Sequence, residues 1–292
     1  MDKLPELSQE VLNAISEYFE TDETYLKCRQ YYIVGDWVRG EDIFDILKEF
    51  SYVVFYPLDD ENDGFHLKKP VAGEMKDFVY INTSKSLAKQ VFTAAHEFGH
   101  IINVDDAVVN ILQSKNSALE LHLDIKEQII NRFASEILMP KDAFIKHYKL
   151  LVKESCVRND SSNSEEIQIT LYELLKIIVF LMWKYTVTYD AIIIRLYEVG
   201  VMPKKSVDLL FDKANKELVD MTVNQLAKEN GYERILYPTE VKTIDGLSEL
   251  LKKEDINTMV SENKLNKFRE LFEIGEVKDD AREVTISSVK GD

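Results

Sequence analysis

Glycine and proline are scarce. The 292 residues hold ten glycines and six prolines, about 5% of the chain against a usual ~12%. That argues against turn-rich all-β architectures and collagen-like repeats. Cysteine is scarcer still: Cys28 and Cys156 alone cannot staple a small secreted scaffold. Basic residues are outnumbered, 36 against 52 acidic ones, for a formal net charge of −16. A nucleic-acid-binding protein needs Lys and Arg to neutralise phosphates, and the sequence has no dense basic patch. Direct nucleic-acid binding is therefore not expected, and the negative charge reads as a solubility feature. The start, Met1-Asp2-Lys3-Leu4-Pro5-Glu6, lacks the basic start and apolar run of a signal peptide, so a cytoplasmic location is expected. The longest apolar run, Leu174 to Trp183, is interrupted by Lys176 and is about half of the ~20 residues that cross a bilayer. It reads as a helix buried in protein, and no membrane association is expected.

What is present favours a helix-rich α+β fold. Hydrophobic residues make up 45% of the chain and aromatics 10%, enough apolar surface to offset chain entropy. The length allows one large or two modest domains. Ser8 reads as the cap of a first amphipathic helix, and a second helix fits Asp42 to Phe50. Tyr52 to Tyr56 is β-branched and aromatic, ends at Pro57, and reads as a strand. Phe65 to Leu67 and Phe78 to Ile81 complete a small sheet, all of it before residue 84. A long helix then runs from Ser84 to about Asn103, with Leu87, Val91, Phe92, Ala95, Phe98 and Ile102 at helical spacing. Another fits Asp124 to Leu138 and meets Pro140. The polar stretch 158–166 is linker-like. Helices resume at Ile169–Lys184 and Tyr189–Val199. These features predict a sheet-and-helix region over 1–157, a helical helix-turn-helix-like region over 158–220, and a C-terminal region over 221–292 with a short strand at Glu283-Val284-Thr285-Ile286.

The chemistry sits in His96-Glu97-Phe98-Gly99-His100, inside the long helix. Residues four apart share a helical face, and with a rise of ~1.5 Å per residue both imidazoles can reach one ion at ~2.0–2.1 Å. Glu97, rotated about 100° from His96, stands beside such an ion, where it can accept a proton from an attacking water. Two structural histidines in an ordinary helix are the plainer reading. With five histidines in the chain, chance supplies the triplet in roughly one such sequence in a hundred, and the preceding strands further favour a metal site. Gly99 costs ~1 kcal/mol relative to Ala inside a helix, a sign that something packs close to the backbone there.

A catalytic zinc needs a third protein ligand and one open position. No histidine follows at short spacing; His122 and His147 come next. Glu127 and Asn131 share a face of the following helix, so Glu127 can bind the ion while Asn131 hydrogen-bonds a ligand histidine. Asp124 and His122 compete for the third position. His122, His147 and Tyr80 are candidate oxyanion donors. Manganese fits a two-His, one-carboxylate set as well as zinc.

Three segments together resemble the ImmA/IrrE metallo-endopeptidases, whose members show I-x-I-N, F-T-x-A-H-E-x-G-H and A-N-x-F-A-x-x-L-L-M-P in this order. Here they stand as Phe78-Val79-Tyr80-Ile81-Asn82, as Phe92 through His100, and as Ile130-Asn131-Arg132-Phe133-Ala134 through Met139-Pro140. Ile130 replaces the family's usual Ala, a mild departure expected to shift the helix slightly. The resemblance covers about residues 45–200. It implies a gluzincin-like core of a small sheet and two metal-binding helices, with His96, His100 and Glu127 on the metal and Glu97 as general base. It also implies a cytoplasmic endopeptidase whose partner is a protein substrate, a cognate transcriptional repressor. A metal-stabilised interaction module with little proteolytic activity is the alternative. Val187 to Gly200 resembles the second half of a helix-turn-helix, but its one basic residue, Arg195, stands beside the acids Asp190 and Glu198, which favours a packing role over DNA reading.

Overall fold

The computed structural model describes residues 7–32, 39–71, 73–115, 122–157 and 169–244. All belong to one unit spanning Met1–Asp245. The expected linker at 158–166 and the expected strand at 283–286 lie outside the described residues.

The chain opens with α1 (Gln9–Thr21), whose cap Ser8 accepts a hydrogen bond from Val11 N–H, and α2 (Glu23–Tyr32). Next come α3 (Asp42–Phe50), β1 (Tyr52–Tyr56), β2 (Gly64–Val71) and β3 (Glu74–Asn82). β1 runs parallel to β3, pairing Tyr52 with Phe78 and Tyr56 with Asn82, while β2 is antiparallel to β3 on the outer edge. Alternation along the strands buries Val53, Phe55, Val79 and Ile81 on one face. Phe44 of α3 meets Phe55 edge-on at 5.1 Å there.

A fourth strand corrects the expectation that the sheet is complete before residue 84. β4 (Thr243–Ile244) pairs antiparallel with β1, setting Val54 opposite Ile244. The segment leading to it also secures the start of α4 (Leu87–Ile101). Leu87 N–H donates to the Tyr237 carbonyl at 2.9 Å, Thr239 and Glu240 N–H donate to the Thr83 carbonyl, and Thr83 Oγ1 donates to the Val241 carbonyl at 2.8 Å. Ser86, the cap residue of α4, makes no side-chain cap bond. Backbone from 150 residues downstream takes part of that role.

Asn82 ties the sheet to the loop before it. Fully buried, it donates Nδ2–H to the carbonyls of Leu58 and Asn62, at 3.0 and 2.8 Å, and accepts at Oδ1 from Leu58 N–H, Ser84 N–H and Ser84 Oγ–H. One side chain thus fixes loop 57–63 and the turn that launches α4.

α4 ends where Asn103 adopts φ +53°, a left-handed stop. It is followed by α5 (Val104–Lys115), α6 (Leu123–Leu138) and α7 (Lys141–Val157). α4 and α6 pack closely side by side. A Cβ built on Gly99 would lie 2.9 Å from Phe133 Cδ1 and 3.2 Å from Ile130 Cγ2, which explains a glycine in a helix interior. Phe133 also stacks on Phe19 and meets Tyr25 edge-on, so α1 and α2 cover the far side of α6.

Beyond residue 168 lie α8 (Leu171–Tyr185), α9 (Tyr189–Glu198), α10 (Lys204–Leu210), α11 (Lys213–Glu229) and a 3-10 turn at Glu233–Leu236. Leu175, Ile177, Ile178, Leu181 and Met182 of α8 are buried in protein. Among the described residues no single helix is long and apolar enough to cross a membrane. α8 and α9 meet at 102° across a three-residue turn, the geometry of a helix-turn-helix. Thr186 turns left-handed at φ +53°, and Thr188 caps α9 by accepting from Ala191 N–H. Arg195, however, points inward and is completely buried, against the groove-facing position a DNA-reading arginine takes.

Candidate metal centre

α4 buries most of its surface, yet its motif faces a partly open cleft beside α6. Amphipathic spacing sets this: Val91, Ala94, Ala95 and Phe98 go into the core, which leaves His96 and His100 on the adjoining face. Their rings lie 4.9 Å apart, with the two Nε2 atoms 3.1 Å from each other. From α6, Glu127 Oε2 lies 3.3 Å from His96 Nε2 and 3.8 Å from His100 Nε2. Among the described residues this is the group of His, Cys, Asp and Glu side chains whose ligand atoms converge tightly enough to hold an ion.

The fit to a metal can be tested on these distances. Ligand atoms bound tetrahedrally at ~2.0–2.1 Å stand ~3.3 Å from one another. Edges of 3.1, 3.3 and 3.8 Å make nearly that triangle. Tautomer chemistry agrees. The amide oxygen of Asn131 can only accept, so the 3.0 Å contact from His96 Nδ1 requires an N–H there, leaving Nε2 with a free lone pair toward Glu127 and His100. The side chains of His96, His100 and Glu127 retain 18%, 26% and 45% exposure, so a fourth corner opens to solvent. Burial, with His100 adding to it, holds the His96 imidazole below its ordinary proton affinity, the neutral state a metal ligand needs.

Glu97 is almost fully buried next to this triangle. Burial first, and then the carboxylate of Glu127, push its carboxyl up to about 7. A carboxylate with that proton affinity is suited to taking and returning a proton near neutral pH.

Of the other candidates, Asp124 and His122 stay outside the converging group; His122 sits exposed at the cap of α6. Tyr80 donates its hydroxyl to the Tyr56 carbonyl at 2.9 Å, and His147 Nδ1 meets the buried Tyr185 hydroxyl at 2.7 Å, so both are engaged elsewhere. Sequence reasoning did not anticipate the buried charge cluster at the far end of α6. There Arg195 bonds Met139 O, Glu136 and Glu198, while Arg132 pairs with Glu198. The proximity of Arg195 and Glu198 on one helix was the only available signal.

Residues 47–197 match the model of the IrrE N-terminal-like domain, a peptidase family. The chain belongs to that family. The match takes in the motif helix, α6 and the α8–α9 pair, and it makes this a protein of peptidase type in a family that is typically metal-dependent. No curated protein matches the chain.

Proposed function

We propose that the chain is a zinc-dependent cytoplasmic endopeptidase that cleaves a cognate transcriptional repressor. The observation that carries the catalytic part is the near-tetrahedral triangle of His96 Nε2, His100 Nε2 and Glu127 Oε2, with its fourth corner open and a buried acid next in sequence to one ligand.

His96, His100 and Glu127 would hold the ion, with Asn131 fixing the His96 ring. When bound, the ion supplies Lewis acidity, acidifying a water and polarising the scissile carbonyl. Glu97 takes the proton of the attacking water on its carboxylate and delivers it to the leaving amine nitrogen, so the acid ends the cycle as it began.

The repressor part rests on the family resemblance and on the absence of a dense basic patch that would suit the chain to bind DNA itself. Its test is incubation of the purified protein with candidate repressors, with and without a chelator. Cleavage of one bond, abolished by chelator and restored by zinc, is expected. An intact repressor bound tightly in both conditions would favour an interaction module.

A further inference from the structure

We infer that Arg195 is a positioning residue for the metal-ligand helix, and that the α8–α9 pair serves to set α6 against α4. The inference rests on the metallopeptidase reading above.

The triangle takes two corners from α4 and one from α6, so its size depends on how α6 lies. Asn131 ties that helix to His96, and Phe133 wedges it among Phe19, Tyr25 and Phe98; three further contacts along its length bear on its tilt. Near its start, Lys126 reaches Asp105 at 3.3 Å and Asp106 at 2.7 Å; Asp106 is largely in water, so that pair holds weakly, while the Asp105 pair is the more sheltered of the two. At its waist, Ile130 and Phe133 press on Gly99. That contact forms a pivot. At its end, Arg195 donates Nε–H to the Met139 carbonyl at 2.9 Å, which the helix itself leaves without a partner. The same guanidinium bonds Glu136 of α6 and Glu198 of α9, the latter at 3.2 Å, and Arg132 of α6 closes the cluster on Glu198.

A buried ion cluster is weak evidence for stability, because desolvation offsets much of the attraction. It is better suited to fixing one arrangement over its neighbours. A helix is a rod, so a tilt of about 10° around the Gly99 contact moves Glu127, roughly one turn away, by about 1 Å. Displacement on that scale is what a constellation of metal ligands does not tolerate. Arg195 lies at the opposite end of α6 from Glu127 and touches none of the three ligands. Its effect on the ion must pass through the helix.

The test is zinc affinity, measured by competition with a chromophoric chelator on the full chain, below the unfolding temperature of each variant. Arg195→Met is expected to bind zinc roughly 10–100-fold more weakly than the unaltered protein, with Arg195→Lys between them. Val207→Ala removes buried methyls from α10, which packs on α9 and α11. It lowers thermal stability but is expected to leave zinc affinity unchanged, separating positioning from general loosening. A folded Arg195→Met that binds within about two-fold of the unaltered protein overturns the inference. Should Arg195→Met fail to fold, Glu136→Gln decides by the same comparison, since Glu198 still partners the guanidinium. If the unaltered protein binds no zinc, the metal reading itself falls, whatever the variants do.

Discussion

Gly99 and Phe133 set the spacing of the two helices that carry the site: a methyl on residue 99 would stand 2.9 Å from the Phe133 ring. Phe133 is completely buried and wedged among Phe19, Tyr25 and Phe98, so it has nowhere to retreat. Gly99→Ala gains ~1 kcal/mol of helix propensity but incurs overpacking of about 1–3 kcal/mol. A net loss of stability in urea titration is expected, together with weaker zinc binding as α6 is pushed away from α4. An Ala variant more stable than the parent and equal in zinc affinity would show that the close approach is immaterial.

Glu97 and the three ligand side chains should separate cleanly. Glu97→Gln keeps the shape and removes the proton acceptor, so bound zinc is retained while cleavage falls by at least about 10²-fold. Elemental analysis alongside a cleavage assay checks this. A variant that cuts at the parental rate removes Glu97 from the mechanism.

His100→Ala deletes one corner of the triangle. Zinc should no longer copurify at one equivalent, and restoring the metal at moderate excess should not restore activity. Full stoichiometry in that variant would count against the site.

Acid sensitivity follows from Glu136. Burial raises the proton affinity of its carboxyl, but Arg195, the Lys141 N–H and Arg132 more than reverse this and hold it below the usual carboxylate range. Its contribution to stability is therefore complete above the unfolded value of ~4.3 and is lost as pH falls through the lower folded value. Glu136→Gln should be less stable than the parent near pH 6, with the difference shrinking toward pH 3. Urea titrations across that range check it; a gap that stays constant with pH would mean Glu136 is not held ionised.

Asn82→Ala leaves the Leu58 and Ser84 N–H groups and the Asn62 carbonyl without their Asn82 partner, while the Leu58 carbonyl keeps the Ser84 hydroxyl at 2.7 Å. A loss of at least about 2 kcal/mol is expected, since an unmet buried polar group costs about 1–3 kcal/mol. A change under about 0.5 kcal/mol would mean that loop 57–63 does not depend on this side chain.

The elements legible in the sequence were those with strong local patterns. Asp42–Phe50 and Tyr52–Tyr56 have the predicted limits because amphipathic spacing in one and β-branched alternation in the other coincide with real stops at Ser51 and Pro57. The helix Glu23–Tyr32 was missed because its residues are mostly polar and give little periodic signal. Val104–Lys115 was missed because only a two-residue break divides it from the motif helix. β4 is two residues long and finds its partner nearly 190 positions earlier, a pairing no local pattern encodes. At the site, i, i+4 spacing puts His96 with His100 and Glu127 with Asn131 on shared helical faces, while the choice of Glu127 over Asp124 and His122 leans also on the family resemblance. The inward turn of Arg195 was not, because a buried arginine and an exposed one look alike until their partners from another helix are known.

Crystals grown with zinc, measured for anomalous scattering on both sides of the zinc absorption edge, test the central claim most directly. The account predicts a single strong peak ~2.0–2.2 Å from His96 Nε2, His100 Nε2 and a Glu127 oxygen. A map with no peak there, or with zinc held by other donors while those three side chains stand apart, would contradict it.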